Sequence, residues 1–261
     1  MELAVGMSLM TTRAVDRANA LLTLVVESGQ PRTFTSLVDE LGLAKSTTSR
    51  LLQALERSRL VHRDHAGAFR PGALFSVYAA RPNALHDLAE LARPTLERLG
   101  QLSEETVNLS VSRGSELLQI AQVDSPRVVG ATNWVGVDVP AHCTAAGKVL
   151  VAYQALELPR GDLERRTAYS PVDRAHLDHV LVEVRRRGWA VSLDELEIGL
   201  AAVAAPLRAA NGTVVAAIAV SGPTARIDER GITVLGDLLI AETRRLSAQL
   251  GHHPVKEGAS T

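Results

Sequence analysis

The stretch "LVDELGLAKSTTSRLLQALERSRLV", Leu37 to Val61, holds two short helical patterns separated by a glycine. The first is capped at Thr35, runs through Glu40 and stops at Gly42, which supplies a tight turn. The second runs from about Ala44 to Ser58 and places Thr48, Leu51, Leu52 and Leu55 on one face. Two helices joined by a short glycine-containing turn make a helix-turn-helix. With that apolar face turned inward, Lys45, Ser46, Ser49, Arg50 and Gln53 project outward, and Thr47 sits at the margin. These are short hydroxyls and cations. Serine and threonine donate to phosphates or base edges, arginine takes guanine in a bidentate fashion, and a helix N-terminus favours phosphate. A merely solvated polar face has the same composition. Here the glycine turn, the polar first turn and the local positive charge coincide with a following hairpin, which favours DNA.

Working outward, Arg13 to Ser28 repeats apolar residues at three- and four-residue steps and ends at "ESGQP", one amphipathic helix. Downstream, "LVHRD" and "AFRPG" flank "HAG" and read as a small hairpin, the wing of a winged helix. Arg63 and Arg70 on its strands can straddle a phosphate backbone, and Arg13, just before the first helix, is a weaker candidate of the same kind. Residues 45–70 carry six cations, Lys45, Arg50, Arg57, Arg59, Arg63 and Arg70, against Glu56 and Asp64. The net charge of -1 for the whole chain hides this local basic face.

The 261 residues are 46% hydrophobic and 22% charged, enough for a sizeable core and two domains. One cysteine excludes an internal disulfide framework and a cysteine-rich zinc site. No apolar run approaches the roughly 18 residues needed to span a bilayer, and the first residues lack a basic leader with a cleavage site. A cytoplasmic protein with no membrane partner is expected.

Residues 72–102 read as helix, interrupted at Pro82 and carrying Pro94, with Leu85, Leu88, Leu91, Leu96 and Leu99 as an apolar stripe suited to pairing with a second copy. Beyond Ser103 come the strands "TVNLSVS", "ELLQIAQV" and "RVVGATNW", then helices near Thr144–Ala155 and Val172–Arg187. The strands "WAVSL", "LAAVAAPLRA" and "TVVAAIAVSG" follow, the last two joined by a two-residue Asn211-Gly212 turn, and a final helix spans Asp228 to Leu250. An antiparallel sheet with segregated helices is an α+β domain, unlike the all-helical front.

With these residues in view, the chain resembles the IclR family of bacterial transcription regulators along essentially its full length. The ordered motifs are "RAVDRANALLTLV", "LVDELGLAKSTTSRLLQALERSRLV", "LAELARPTLERL", "HCTAAGKVLVA", "RRRGWAVSLDELEIGLAAVAAPL" and "NGTVVAAIAVSGP". The resemblance implies an all-α winged helix-turn-helix over residues 1–71 and linker helices over 72–102. It further implies an α+β, GAF-like effector domain with an antiparallel sheet over 103–251, then a flexible tail over 252–261. It implies operator DNA and a small-molecule effector as partners, and a homodimer or homotetramer. By position it brings Thr144, Ala145, Ala146, Ser192, Asp194, Ala202 and Ser221 to the effector pocket. Backbone amides at a helix start suit a carboxylate, whereas Asp194 favours a hydroxyl, an amine or a bridging water; Ser192 and Asp194 are equally well placed to cap a turn. Ala201 and Ala202 stand where many relatives have Arg and Cys, which implies a roomier, less polar pocket for a larger, partly apolar organic or aromatic acid.

Two other classes compete. An enzyme would use Cys143 beside His142, but neighbours in sequence seldom make the required base contact, and a lone cysteine usually packs. Gly147-Lys148 is followed by Val149 rather than Ser or Thr, so it is no phosphate loop. A metal would have only His252 and His253, on the tail. No catalytic residue, metal or cofactor is expected. The third class is a winged-helix protein-interaction module, against which the base-directed side chains from Lys45 to Arg50 argue. The favoured reading is a ligand-responsive DNA-binding regulator of repressor type.

Overall fold

The computed structural model describes residues 2–81, 84–128, 135, 139–227 and 229–252. The chain forms two compact units, Met1–Ala84 and Leu85–Thr261.

In the first unit, α1 (Glu2–Glu27), α2 (Phe34–Leu41) and α3 (Lys45–Arg57) precede a hairpin of β1 (Val61–Arg63) and β2 (Phe69–Pro71), followed by α4 (Ala73–Ala79). Leu21 and Val25 of α1, Leu37 of α2, Leu52 and Leu55 of α3, Val61 and Phe69 form one core. The two backbone bonds between Arg32 and Phe69 tie the α1–α2 connection to the wing. Gly42 ends α2 at φ 61°, a left-handed turn that glycine adopts without a Cβ penalty. Two expectations are corrected. The α2 cap is Thr33, whose hydroxyl accepts from Ser36 N at 3.1 Å, rather than Thr35, because the helix starts two residues earlier, at Phe34. Arg13 lies inside α1, not before it, since no proline or glycine pair between Glu2 and Arg13 interrupts the helix.

The second unit begins with α5 (Ala84–Ser103), which accommodates Pro94. It continues through β3 (Thr106–Arg113), β4 (Glu116–Val123), α6 (Ala145–Ala152), α7 (Arg174–Arg187), β5 (Ala190–Leu193), β6 (Leu200–Arg208), β7 (Val214–Pro223) and α8 (Glu229–Gln249). The strands form one antiparallel sheet in the order β4-β3-β7-β6-β5. One face packs on Leu96 and Leu99 of α5 and Leu239 and Leu246 of α8, the other on α6 and α7 through Val149, Leu150, Leu177 and Leu181. Alternation along each strand supplies both faces. Residues 129–134 of the expected strand "RVVGATNW", and the tail from 253, lie outside the described residues.

The β6–β7 corner differs from a two-residue turn. Gly212 N donates to Ala209 O at 2.8 Å and Ala209 N to Thr213 O at 2.9 Å, so Ala210 and Asn211 are the central pair and Gly212, at φ 82°, completes the loop. Asn211 Oδ1 accepts from Thr213 N at 3.0 Å, a side-chain role the two-residue form would not require.

Candidate functional site

The first candidate site is the outer face of α3. Thr48, Leu52 and Leu55 are buried and Leu51 half-buried, so Lys45, Ser46 and Arg50 stand exposed, with Thr47 and Ser49 at the margin. No side chain caps α3 at Ala44, which leaves the first-turn amides without a side-chain acceptor. The wing arginines do not form a pair. Register places Arg63 opposite Phe69 and Arg70 opposite His62, hence on opposite faces of the ribbon. Arg63 turns back to Glu56 of α3 at 3.2 Å and lies 4.6 Å over the Phe69 ring. Arg70 bonds Asp64 at 3.2 Å, and Asp64 also receives Ala66 N and Ala68 N, both at 3.0 Å, which shapes the wing tip. Those bonds, the one from Ala68 N first, hold the Asp64 carboxyl below the usual carboxylate range.

The second candidate site is a narrow cavity of about 60 Å³ between the sheet and α6. Its floor comes from four strands: Asn108 and Ser110 of β3, Leu117 and Gln119 of β4, Ala219 and Ser221 of β7, and Leu200 and Ala202 of β6. Thr144, Ala145 and Ala146 form one wall at the start of α6, and Val139 and Leu196 close the margin. Gln119 donates to Asn108 Oδ1 at 2.9 Å, and Asn108 donates to Ser221 Oγ at 3.1 Å. This buried amide–hydroxyl chain supplies both donors and acceptors and no formal charge. Among the described residues, no ionisable side chain lines the cavity.

Five of the expected pocket residues meet there: Thr144, Ala145, Ala146, Ala202 and Ser221. Ser192 and Asp194 do not line it. Ser192 shares the sheet face of Ala202, its register partner, but its hydroxyl donates to Cys143 O at 2.7 Å and clamps the loop before α6. Asp194 shapes the β5–β6 connection at φ 55°, accepting from Gly199 N at 2.6 Å and Thr224 Oγ1 at 3.0 Å. Ala201 is also displaced from the expectation: it is fully buried against the α5–α8 layer, and only Ala202 faces the cavity. Consecutive strand residues point to opposite faces, so a pair of alanines can enlarge the pocket at one position only.

Sequence reasoning missed Asn108, Ser110 and Gln119. Their alternation with Val107, Leu109 and Val111 reads as a solvent-facing strand, whereas these polar side chains are 4–8% exposed. Gln119 reaches the cavity by alternation with Leu117; beyond it Ser110 pairs with Gln119 but Leu109 with Ala121, a bulge that turns both Ile120 and Ala121 to the opposite core.

The loop before α6 is packed. Thr144 caps the helix, its hydroxyl accepting from Gly147 N at 3.1 Å. Gly147 lies against the Ala141 carbonyl, where a Cβ would collide with backbone. Lys148 is buried; its ammonium donates to Glu195 Oε1 at 2.6 Å and to Val191 O at 2.9 Å. Burial pulls its pKa down and pushes that of Glu195 up, while the pair's attraction opposes both. His142 Nε2 donates to Glu164 O at 2.7 Å, and burial raises the Cys143 thiol above its ordinary range. With Nε2–H committed to that carbonyl, His142 has only Nδ1 left to accept a proton, and the neighbouring thiol is held neutral by burial.

The helix-turn-helix pattern over residues 14–65 matches the IclR helix-turn-helix domain, and residues 84–248 match the bacterial transcriptional regulator IclR C-terminal domain. The chain belongs to the IclR family. Among IclR regulators it is 34% identical over 249 residues to the HTH-type transcriptional regulator BhcR of Paracoccus denitrificans, covering 90% of this chain and 86% of that one. It is 32% identical over 246 residues to the HTH-type transcriptional repressor AllR of Escherichia coli K12, covering 92% and 90%. The crystal structure of a putative IclR regulator from Silicibacter sp. TM1040 superposes with a TM-score of 0.61 at 25% identity, covering 92% of this chain and 97% of that one. These IclR relatives are transcription regulators rather than enzymes. No described helix is long and apolar enough to cross a membrane.

Proposed function

We propose that this IclR-family regulator is a ligand-responsive repressor whose effector is an organic acid with one carboxylate and an apolar or aromatic body. The observation that carries the reading is the uncharged, partly apolar cavity that ends at the start of α6. The Ala145 and Ala146 amides there suit a carboxylate, Leu117, Val139 and Leu200 suit the body, and Asn108, Gln119 and Ser221 read a hydroxyl or carbonyl. The repressor sense follows the likeness to AllR.

In this reading residues 1–71 bind operator DNA as one half of a homodimer, residues 72–102 are the linker, and residues 103–251 hold the effector. Lys45, Ser46, Thr47, Ser49 and Arg50 approach the major groove, with Arg50 as the base reader. Arg70, Arg63 and Arg13 supply phosphate contacts, Arg63 the weakest because Glu56 already engages it. The effector releases the operator only if it binds the two arrangements of the dimer unequally.

The test is selection from a randomised duplex pool, then anisotropy titration of the enriched sequence with and without aliphatic and aromatic monocarboxylates. Enrichment of a two-half-site duplex, and its release by an acid that also raises the melting temperature, is expected. A protein that enriches no sequence, or whose complex no acid affects, overturns the reading.

A further inference from the structure

A second concavity, of about 320 Å³, lies on the second unit where the end of α7, β6 and α8 meet. Its lining brings together Arg185, Arg186 and Arg187 of α7, Arg208 of β6 and Arg244 of α8. No carboxylate lines it among the described residues. Arg186 is paired with Glu183 at 2.6 Å. The other four form no direct ion pair among the described residues, although Glu183 also attracts Arg187.

Their contacts orient the guanidinium groups without neutralising them. Arg187 donates through Nε to Trp189 O at 2.7 Å and lies 3.8 Å over the Trp189 ring. Arg208 donates through Nη1 to Gly212 O at 2.9 Å and lies 4.4 Å over the Tyr153 ring. Arg185 donates through Nη1 to Ala152 O at 3.0 Å. Each of the three keeps N–H groups unmatched on a fixed plane, the arrangement that recognises an oxyanion by its edge. His252, at the same site, has a buried Nδ1 with no hydrogen-bond partner. The C-terminal end of a helix attracts cations, which accounts for Arg185 to Arg187 but not for Arg208 and Arg244, which come from other elements. Burial lowers the pKa of Arg187, the attraction of Glu183 opposes that shift, and repulsion from Arg186 adds to it.

We infer that this concavity is a second ligand site, separate from the effector cavity, for a compact oxyanion carrying at least two negative charges. Phosphoryl groups and polycarboxylates share that chemistry. A concave site of this size admits a small molecule, whereas the backbone of a duplex needs an open surface.

The test is calorimetric titration of the full chain at low ionic strength with inorganic pyrophosphate and, separately, citrate. Saturable binding of at least one is expected; the tighter one assigns phosphoryl or polycarboxylate chemistry. In Arg185→Ala/Arg244→Ala affinity falls about tenfold or more and in Arg244→Ala alone by a smaller factor, with the ligand-free melting temperature retained in the single variant. Arg50→Ala on the helix-turn-helix keeps wild-type affinity. Absence of saturation by either anion at millimolar concentration, unchanged affinity in both cavity variants, an equal loss in Arg50→Ala, or displacement of the anion by a random-sequence duplex overturns the inference.

Discussion

Lys148 Nζ and Glu195 Oε1 lie 2.6 Å apart in the interior of the second unit, joining α6 to the β5–β6 connection. Lys148 is 2% exposed and Glu195 16%. Both ends of the pair are thus held away from water, and the carbonyl of Val191 takes a further ammonium proton. Removing one partner strands a charge, so Glu195→Ala costs about 3 kcal/mol or more in urea unfolding. The double variant Lys148→Met/Glu195→Leu recovers most of that loss. Equal stability of the single and double variants would show that the pair does not couple.

Arg50 faces outward from the middle of α3, where a bidentate contact to a base is geometrically open. Arg50→Ala weakens binding to the selected duplex by about 1 to 3 kcal/mol and relaxes preference at one base pair. Arg70→Ala weakens all duplexes alike and lowers the salt slope by about one. Anisotropy titrations over a range of salt concentrations separate the two. An Arg50→Ala protein with wild-type operator affinity would displace α3 from the reading role.

Gly147 has no room for a side chain beside the Ala141 carbonyl. Gly147→Ala forces the turn before α6 away from the helix and costs about 1 to 3 kcal/mol. Because that turn carries Thr144 into the cavity wall, the melting-temperature rise on adding effector disappears as well. A stable variant with a normal effector response would contradict the packing.

Ser221→Ala leaves the Asn108 amide without its 3.1 Å partner inside the cavity, costs about 1 kcal/mol and shifts effector preference. Asp194→Ala loosens the β5–β6 connection with effector preference unchanged, since Asp194 bonds Gly199 and Thr224 instead of lining the cavity. Thermal-shift profiles of the two variants against the same acids distinguish the roles.

Cys143 is fully buried, and burial raises its pKa above the ordinary thiol value. In the window between the unfolded and folded values the native state holds the proton that the unfolded chain has lost. Stability therefore falls as pH rises through that window and is unaffected below it. At pH 7 a disulfide reagent labels the native protein far more slowly than the urea-unfolded chain, and fast native labelling would refute the burial.

The division of labour between sequence and tertiary structure follows from the range of the interactions involved. The periods of the α3 face, the left-handed stop at Gly42 and the hydroxyls after Ala44 are local, so the sequence by itself determined the helix-turn-helix and the family, and with them the regulator class. The start of α6 was equally legible, because Thr144 caps the helix from one residue away. Contacts between distant strands are another matter. The bulge at Ile120, which brings Gln122 onto the face of Gln119 and Asn108, depends on pairing β4 against β3 and leaves no mark in the order of residues. Pairing also decided that Ala202 faces the cavity while Ala201 does not, that Ser192 is taken by the Cys143 carbonyl, and that Arg63 and Arg70 lie on opposite faces of the wing. Arg187, Arg208 and Arg244 meet only because α7, β6 and α8 pack at one end of the sheet. Tertiary structure alone could gather them, since a side chain's neighbours across a sheet are set by register and not by its place along the chain.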